Sequence, residues 1–435
     1  MHYNFIVDEK LSGGVRTESI TKIKNFFDES EYTIYDCNIH DKSLIYIFLV
    51  GVYGYPSHDL NSVTKQKNPD WPENGDGEDG SIQIPQLIID KYHSGFKISF
   101  LFFTTDESDN PDAVEIFSDY LDYIKINQKH FYLSTGNELL EKNKKRYNSE
   151  INVNTNNYLP LNVSKIMQTK IQKIFKKRDS SFIAYDDKEY DFRPSRTKLF
   201  QCFNNVLKAH RLGIYTFFNK ENLLDKVDLS LIQYDSFKEE EHWRVNIFKD
   251  VLSSDKHEEW YEIASESIKN KKGLKSEHEK HIIDNQTGKQ IYFRALHEVA
   301  VEQNLYKHGY ISIITESQWE WENIVHITEK SIVPFFFHQI PIIVAPPNHV
   351  KCMKDRYGLD FFDDIINHNY DSIENHHLRF KALTDEILRL SKLEKEIHDF
   401  VKNNQNRFEK NKEIIKNIQH SKINKNFWRS LTYKE

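Results

Sequence analysis

The chain has 435 residues, 38% of them hydrophobic and 29% charged, with a formal net charge of −7. Its 29 Phe, 23 Tyr and 6 Trp exclude a disordered polyampholyte, and only 14 Gly and 11 Pro exclude collagen-like or linker-rich chains. One hydrophobic core stops growing at about 250–300 residues, so two domains are expected, and the mild net charge does not announce a nucleic-acid binder.

The first half alternates short apolar runs with polar helical segments. YNFIV (3–7), LIYIFLV (44–50) and ISFLFFT (98–104) are apolar at consecutive positions, which predicts strands covered on both faces, as in a parallel sheet. SIQIPQLIIDKYHSG predicts a helix that stops at Gly95, and a further helix is predicted from about Asp109, with Pro111 near its first turn. Strand, helix and strand at this spacing give α/β layering. The acidic, glycine-bearing WPENGDGEDGS (71–81) fails as a calcium loop, because Asp79 stands where the turn glycine belongs and Pro85 where a bidentate Glu is required; it reads as a loop.

The longest apolar stretch, 44–55, has 12 residues against the roughly 20 that cross a bilayer, and the N-terminal ten residues show no signal-peptide pattern. Three distant cysteines, Cys37, Cys202 and Cys352, suggest a reducing compartment without a disulfide framework, so a cytoplasmic protein is expected. A charged, Pro194-bearing stretch around 177–197 predicts a boundary, giving an N-terminal α/β domain at 1–195, a C-terminal α/β domain at 196–395 and a basic helical tail at 396–435. Residues 402–435 hold nine Lys/Arg and three Asp/Glu. Such a run is ordinarily a solvated helix face; the other reading is a surface that meets anions, either nucleic acid or lipid headgroups.

The second half holds the chemistry. KLFQCFNNVLKAHRLGIYTFF reads as a strand, an Asn-Asn turn and a helix, with Lys208 and Arg211 on one face near the helix start and His210 beside them. YISIIT reads as a strand that ends at Thr315, with Glu316 directly at its carboxyl end. After a Trp- and Glu-rich loop, Thr328 is a good N-cap for a helix that opens Glu329-Lys330-Ser331, and IPIIVA supplies the next strand. The helix dipole disfavours a cation in a first turn unless an anion lies nearby, and both predicted helix starts carry cations. A nucleotide diphosphate would satisfy both, with a carboxylate available for ribose hydroxyls. Ordinary alternatives exist for each residue: Glu329 as a helix-start acid, Lys330 as an exposed lysine, His210 as a structural histidine.

FNNVLKAHR, ITES and ITEKSIVPFFFHQIPIIVAPP together resemble the nucleotide-sugar-binding half of GT-B glycosyltransferases, in particular the fucosyltransferase-like group and related phage and bacterial enzymes. GLDFFDDIINHNYDSIENHHLRF (358–380) is similar to their Phe-Asp, Tyr-Asp and downstream Arg pattern. The likeness covers about 198–390. It implies two Rossmann-like domains facing a cleft and a UDP- or GDP-linked sugar as co-substrate, with no other cofactor. It also implies a donor site made of Asn204, Lys208, His210, Arg211, Glu316, Thr328, Glu329, Lys330 and Ser331. Within it, Glu329 would bind ribose, and Lys330 and Arg211 the diphosphate. The chain departs from the family in having Lys208 where Arg is usual, and in its charged insertion at 269–290.

Glycosyl transfer needs positive charge on the leaving diphosphate and a base for the acceptor hydroxyl. Lys208, Arg211 and Lys330 supply the first without a metal, and no His/Cys cluster has metal-ligand spacing. Asp106 and Glu107, just after the strand ISFLFFT, are candidate bases, as is Asp59 beside His58. The expected activity is glycosyl transfer to a glycan or other cellular acceptor. The alternatives are transfer to modified DNA bases, which the basic tail would favour, and an inactive binding protein on the same fold.

Overall fold

Apolar runs without a polar face become the strands of two parallel sheets. The computed structural model describes residues 3–6, 32–35, 45–51, 84, 86–104, 113–135, 140, 144, 148–155, 196–204, 207–231, 247–270, 282–283, 290–291, 308–320 and 325–417. The chain divides into two compact units: Met1–Leu159 with Asn323–His326 and Gln419–Glu435, and Pro160–Glu322 with Ile327–Ile418.

The first unit holds β1 (Tyr3–Ile6), β2 (Tyr32–Tyr35), β3 (Ile45–Gly51), β4 (Ile98–Thr104), β5 (Phe131–Thr135) and β6 (Asn152–Thr155). All are parallel, in the order β2-β1-β3-β4-β5-β6. The predicted strands 3–7, 44–50 and 98–104 are β1, β3 and β4. Helix α1 (Gln86–His93) stops as expected, with Gly95 at φ +93° just beyond it, a conformation that glycine adopts without Cβ strain. Helix α2 (Ala113–Tyr123) lays Phe117 on Phe102 and Phe131 of the sheet, with ring centroids 4.6 and 4.9 Å apart.

The second unit is a doubly wound sheet, again all parallel, in the order β12 (Ile340–Val344), β11 (Gly309–Thr315), β7 (Lys198–Asn204) and β8 (Val227–Leu231). Strand β7 (Lys198–Asn204) leads through α3 (Ala209–Lys220) to β8 (Val227–Leu231) on one side. After α4 (His257–Lys269) and a two-stranded ribbon of β9 (Ile282–Ile283) and β10 (Gln290–Ile291), the chain returns to the other side of β7. There β11 (Gly309–Thr315), α5 (Glu329–Phe336), β12 (Ile340–Val344) and α6 (His349–Tyr357) complete the sheet. The strand order therefore reverses between β7 and β11, and in open α/β sheets such a reversal opens a crevice at the strands' carboxyl ends.

Both units are thus α/β with parallel, Rossmann-like sheets, the fold class the sequence predicts. Strand β8 (VDLSL) escapes a reading by apolar runs because Asp228 and Ser230 interrupt it, yet all five of its residues are buried. Helices α7 (His376–Leu390), α8 (Glu394–Asn403) and α9 (Gln405–Asn417) close the second unit. The charged stretch at 402–435 begins within them. Arg407 forks onto both Asp360 (Nε–Oδ2 2.6 Å) and Asp364 (Nη1–Oδ2 2.7 Å), Lys412 is buried, and residues 418–435 lie outside the described part. Among the described residues no helix is long and apolar enough to cross a membrane.

Close packing of α3 gives a direct test. A Cβ on Gly213 would stand 2.9 Å from Phe380 Cζ and 3.5 Å from Val251 Cγ2. Overpacking of this kind costs about 1–3 kcal/mol, against a gain of up to about 1 kcal/mol in helix propensity. Gly213→Ala should therefore unfold at lower urea concentration than the wild type; equal midpoints would mean that α3 and α7 do not meet here.

Candidate functional site

Two strand ends meet at the reversal point. Asn204 closes β7, and its side-chain oxygen accepts a hydrogen bond from the Thr315 hydroxyl at the end of β11. Its backbone N–H donates to Ser230 Oγ (3.2 Å), so the tips of β8, β7 and β11 are tied together in one row. Glu316 follows immediately, and its backbone N–H donates to the Val344 carbonyl of β12 (2.9 Å).

Basic side chains from the start of α3 gather on the chain just after β11. Lys208, the N-cap, donates through Nζ to the Ser317 carbonyl (2.5 Å). His210 Nε2 lies 2.8 Å from the Glu316 carbonyl, and Arg211 Nη2 is 3.4 Å from the carbonyls of both Thr315 and Glu316. Burial, reinforced by the Arg211 charge, holds the His210 pKa well below the ordinary histidine range. His210 is therefore a neutral imidazole that donates to a carbonyl.

The Glu316 carboxylate sits on the other helix start. Its Oε2 accepts from the Thr328 hydroxyl (2.6 Å), and its Oε1 accepts from the Thr328 N–H (3.3 Å) and from the Ser331 hydroxyl. Because Ser331 gives its proton to Glu316, His349 Nε2 carries a proton and donates to Ser331 Oγ across 3.1 Å. His349 Nε2 is 3.9 Å from Glu316 Oε1. Burial alone would raise the Glu316 pKa; the charges of His349 and Lys330 and the two hydroxyls outweigh it, and the carboxyl is held below its ordinary range. Thr328 caps α5 as the sequence predicts, its hydroxyl accepting from the Lys330 N–H (3.2 Å).

This geometry changes the account of Lys330. A first-turn cation calls for a nearby anion, which the sequence alone assigns to a ligand diphosphate. The protein supplies its own anion, Glu316, at the tip of α5. Helix α6 is treated alike: the Asp371 carboxylate accepts the N–H groups of Val350 and Lys351, both at 2.9 Å, and burial raises its pKa against those hydrogen bonds. Neither α3 nor α6 has an acid in its first turn or a side-chain cap, but Asp371 takes the N–H groups of α6, whereas α3 starts at Lys208.

The structure thus brings Asn204, Lys208, His210, Arg211, Glu316, Thr328, Lys330 and Ser331 into one locality around Glu316. Most are deeply buried and bonded to one another, whereas Lys208 and Lys330 are half-buried. The side chain of Glu329 lies outside the described residues, as do Asp106, Glu107, His58, Asp59 and the loop at 71–81. Sequence reasoning missed His349 and Asp371 as partners of the helix tips. An Asp directly after the Tyr370 ring, in the Tyr-Asp motif noted above, was the available signal for the second; nothing in the sequence points His349 at Ser331. Among the described residues no group of three or more His, Cys, Asp or Glu could hold a metal ion.

No protein-family model and no curated protein sequence matches the chain. Among solved structures it is similar to an alpha,alpha-trehalose-phosphate synthase (UDP-forming) from Burkholderia vietnamiensis, at 10% identity over 89% of this chain and 73% of that one, with a TM-score of 0.37. It is also similar to alpha,alpha-trehalose 6-phosphate synthase from Burkholderia multivorans (10% identity, 89% and 70% of the two chains, TM-score 0.39). A third, the apo structure of OtsA, has 7% identity, 100% and 99% coverage, and a TM-score of 0.44.

Proposed function

We propose that this chain is a GT-B-type glycosyltransferase that moves a sugar from a nucleotide-diphosphate donor to an acceptor hydroxyl, holding the donor in its second unit. The observation that carries this reading is the meeting of Lys208, Arg211 and Lys330 around Glu316, at the point where the strand order reverses. A doubly wound sheet binds ligands at that point, and three cations with an uncapped helix start suit a diphosphate. The resemblance of 198–390 to nucleotide-sugar-binding domains points the same way.

The burial pattern divides the roles. Carboxylates occupy the tips of α5 and α6, which favours the start of α3, beside Lys208, as the place for the phosphates. Lys330 contributes charge from the rim. Glu316, Thr328, Ser331 and His210 act beneath it, fixing the backbone that the donor meets, and Glu329 remains the candidate for the ribose. As the sugar–phosphate bond breaks, negative charge grows on the diphosphate; lysines already in place stabilise it without a metal. Asp106, Glu107 and Asp59 remain candidates for the base. The donor is UDP- or GDP-linked, and a glycan is the favoured acceptor.

Lys208→Ala and Lys330→Ala should each weaken UDP or GDP binding by roughly 1.5–3 kcal/mol, since each removes a charge-assisted contact. Calorimetry on both variants, after a thermal-shift screen of UDP, GDP, CMP and their sugars against the wild type, measures this directly. Wild-type affinity retained in both would end the proposal.

A further inference from the structure

Outside the residues assigned above, a column of three side chains bears on the same site. The Arg379 guanidinium of α7 lies over the Trp319 ring, 4.4 Å from its centroid, and His210 stacks on the same indole, with centroids 6.1 Å apart and planes 22° apart. Arg379 also donates through Nη2 to the Trp319 carbonyl (2.6 Å) and through Nη1 to the carbonyls of Ile373 and Glu374, both at 2.8 Å. The indole N–H of Trp319 donates to the Asp250 carbonyl (2.7 Å). Both Arg379 and Trp319 are almost fully buried.

Taken with Lys208, His210 and Arg211, the carbonyls of Thr315, Glu316, Ser317 and Trp319 all accept from basic side chains. The cations reach this segment from two helices, α3 and α7. A planar guanidinium can stack on an indole and bond three carbonyls at once; an ammonium cannot do both. We infer that Arg379 is a positioning residue, clamping segment 316–319 through Trp319 and His210, and so setting where Glu316 and the start of α3 stand. The effect on donor binding rests on the glycosyltransferase reading; the clamping of the segment does not.

Arg379→Lys keeps the charge and removes the fork. Two measurements on the full chain decide the matter. Amide exchange at 317–320 should quicken about tenfold, while amides in β8 and α9 keep their wild-type rates. With a donor identified by the thermal-shift screen, KM for that donor should rise about tenfold or more at nearly constant kcat, because a misplaced binding segment weakens capture. A merely structural role would instead lower kcat through loss of folded enzyme and leave KM unchanged. Trp319→Phe, which keeps a ring in the column but loses the indole donor, should move both readings in the same direction by about threefold and serves if Arg379→Lys does not fold. Unchanged exchange at 317–320, or faster exchange with unchanged KM, overturns the inference. A wild-type protein that binds no nucleotide sugar overturns the proposed function instead, and the exchange measurement still decides whether Arg379 holds the segment.

Discussion

Replacing Glu316 with leucine is expected to destabilise the second unit by about 3–5 kcal/mol, the cost of removing one partner from a buried ionic cluster. Leucine preserves the volume but abandons the Thr328 N–H, the hydroxyls of Thr328 and Ser331, and the anion that faces Lys330 and His349. Glu316→Gln keeps an acceptor oxygen and should lose less, about 1–3 kcal/mol. The pH dependence has a definite sign. The folded pKa of Glu316 lies below the unfolded carboxylate value, so its stabilisation is complete above that value and disappears as pH falls through the folded pKa. Asp371 is opposite: its folded pKa is raised, so its contribution is complete below the unfolded value and declines as pH rises through the folded one. Acid unfolding of Glu316→Gln should therefore be shallower than that of the wild type below about pH 4.3. Parallel acid limbs for the two proteins would show that the carboxylate does not sit charged on the tip of α5.

Phe408→Ala should cost about 3–5 kcal/mol, as large aromatic deletions in cores do. Phe408 is buried on α9 and stacks on Phe362 at 4.4 Å, a pair that Arg407 covers with its guanidinium 5.1 Å from the Phe362 centroid. Ile397 and Val401 of α8 join the same core. A solvated or anion-binding appendage would tolerate loss of one aromatic ring with almost no change in unfolding midpoint. A urea titration distinguishes the two, and a shift below about 0.5 kcal/mol would detach α9 from the core.

Much of the candidate site was legible because its signals are local. Thr328 before Glu-Lys-Ser announces an N-cap by residue type alone, and the apolar runs YISIIT and IPIIVA announce buried strands. Strands β2, β6 and β8 were not legible. They are four or five residues long, and their Asn, Thr, Asp and Ser residues hide the apolar pattern on which a sequence reading depends. Lys330 shows the limit differently: a cation in a first helical turn does call for an anion, but the sequence does not say whether that anion comes from a ligand or from a carboxylate 14 positions earlier.

The sequence by itself determined the layering, the strand and helix starts around the site, and the residue types gathered there, because propensity, capping and apolar periodicity act over a few residues. Only the tertiary structure decided that β11 lies beside β7, that Glu316 fills the tip of α5, and that Arg379 stacks on Trp319. Those outcomes depend on which buried charges and hydrogen-bonding groups find partners across gaps of 12 to more than 100 residues. The chain meets that demand through packing, which no short window of residues contains.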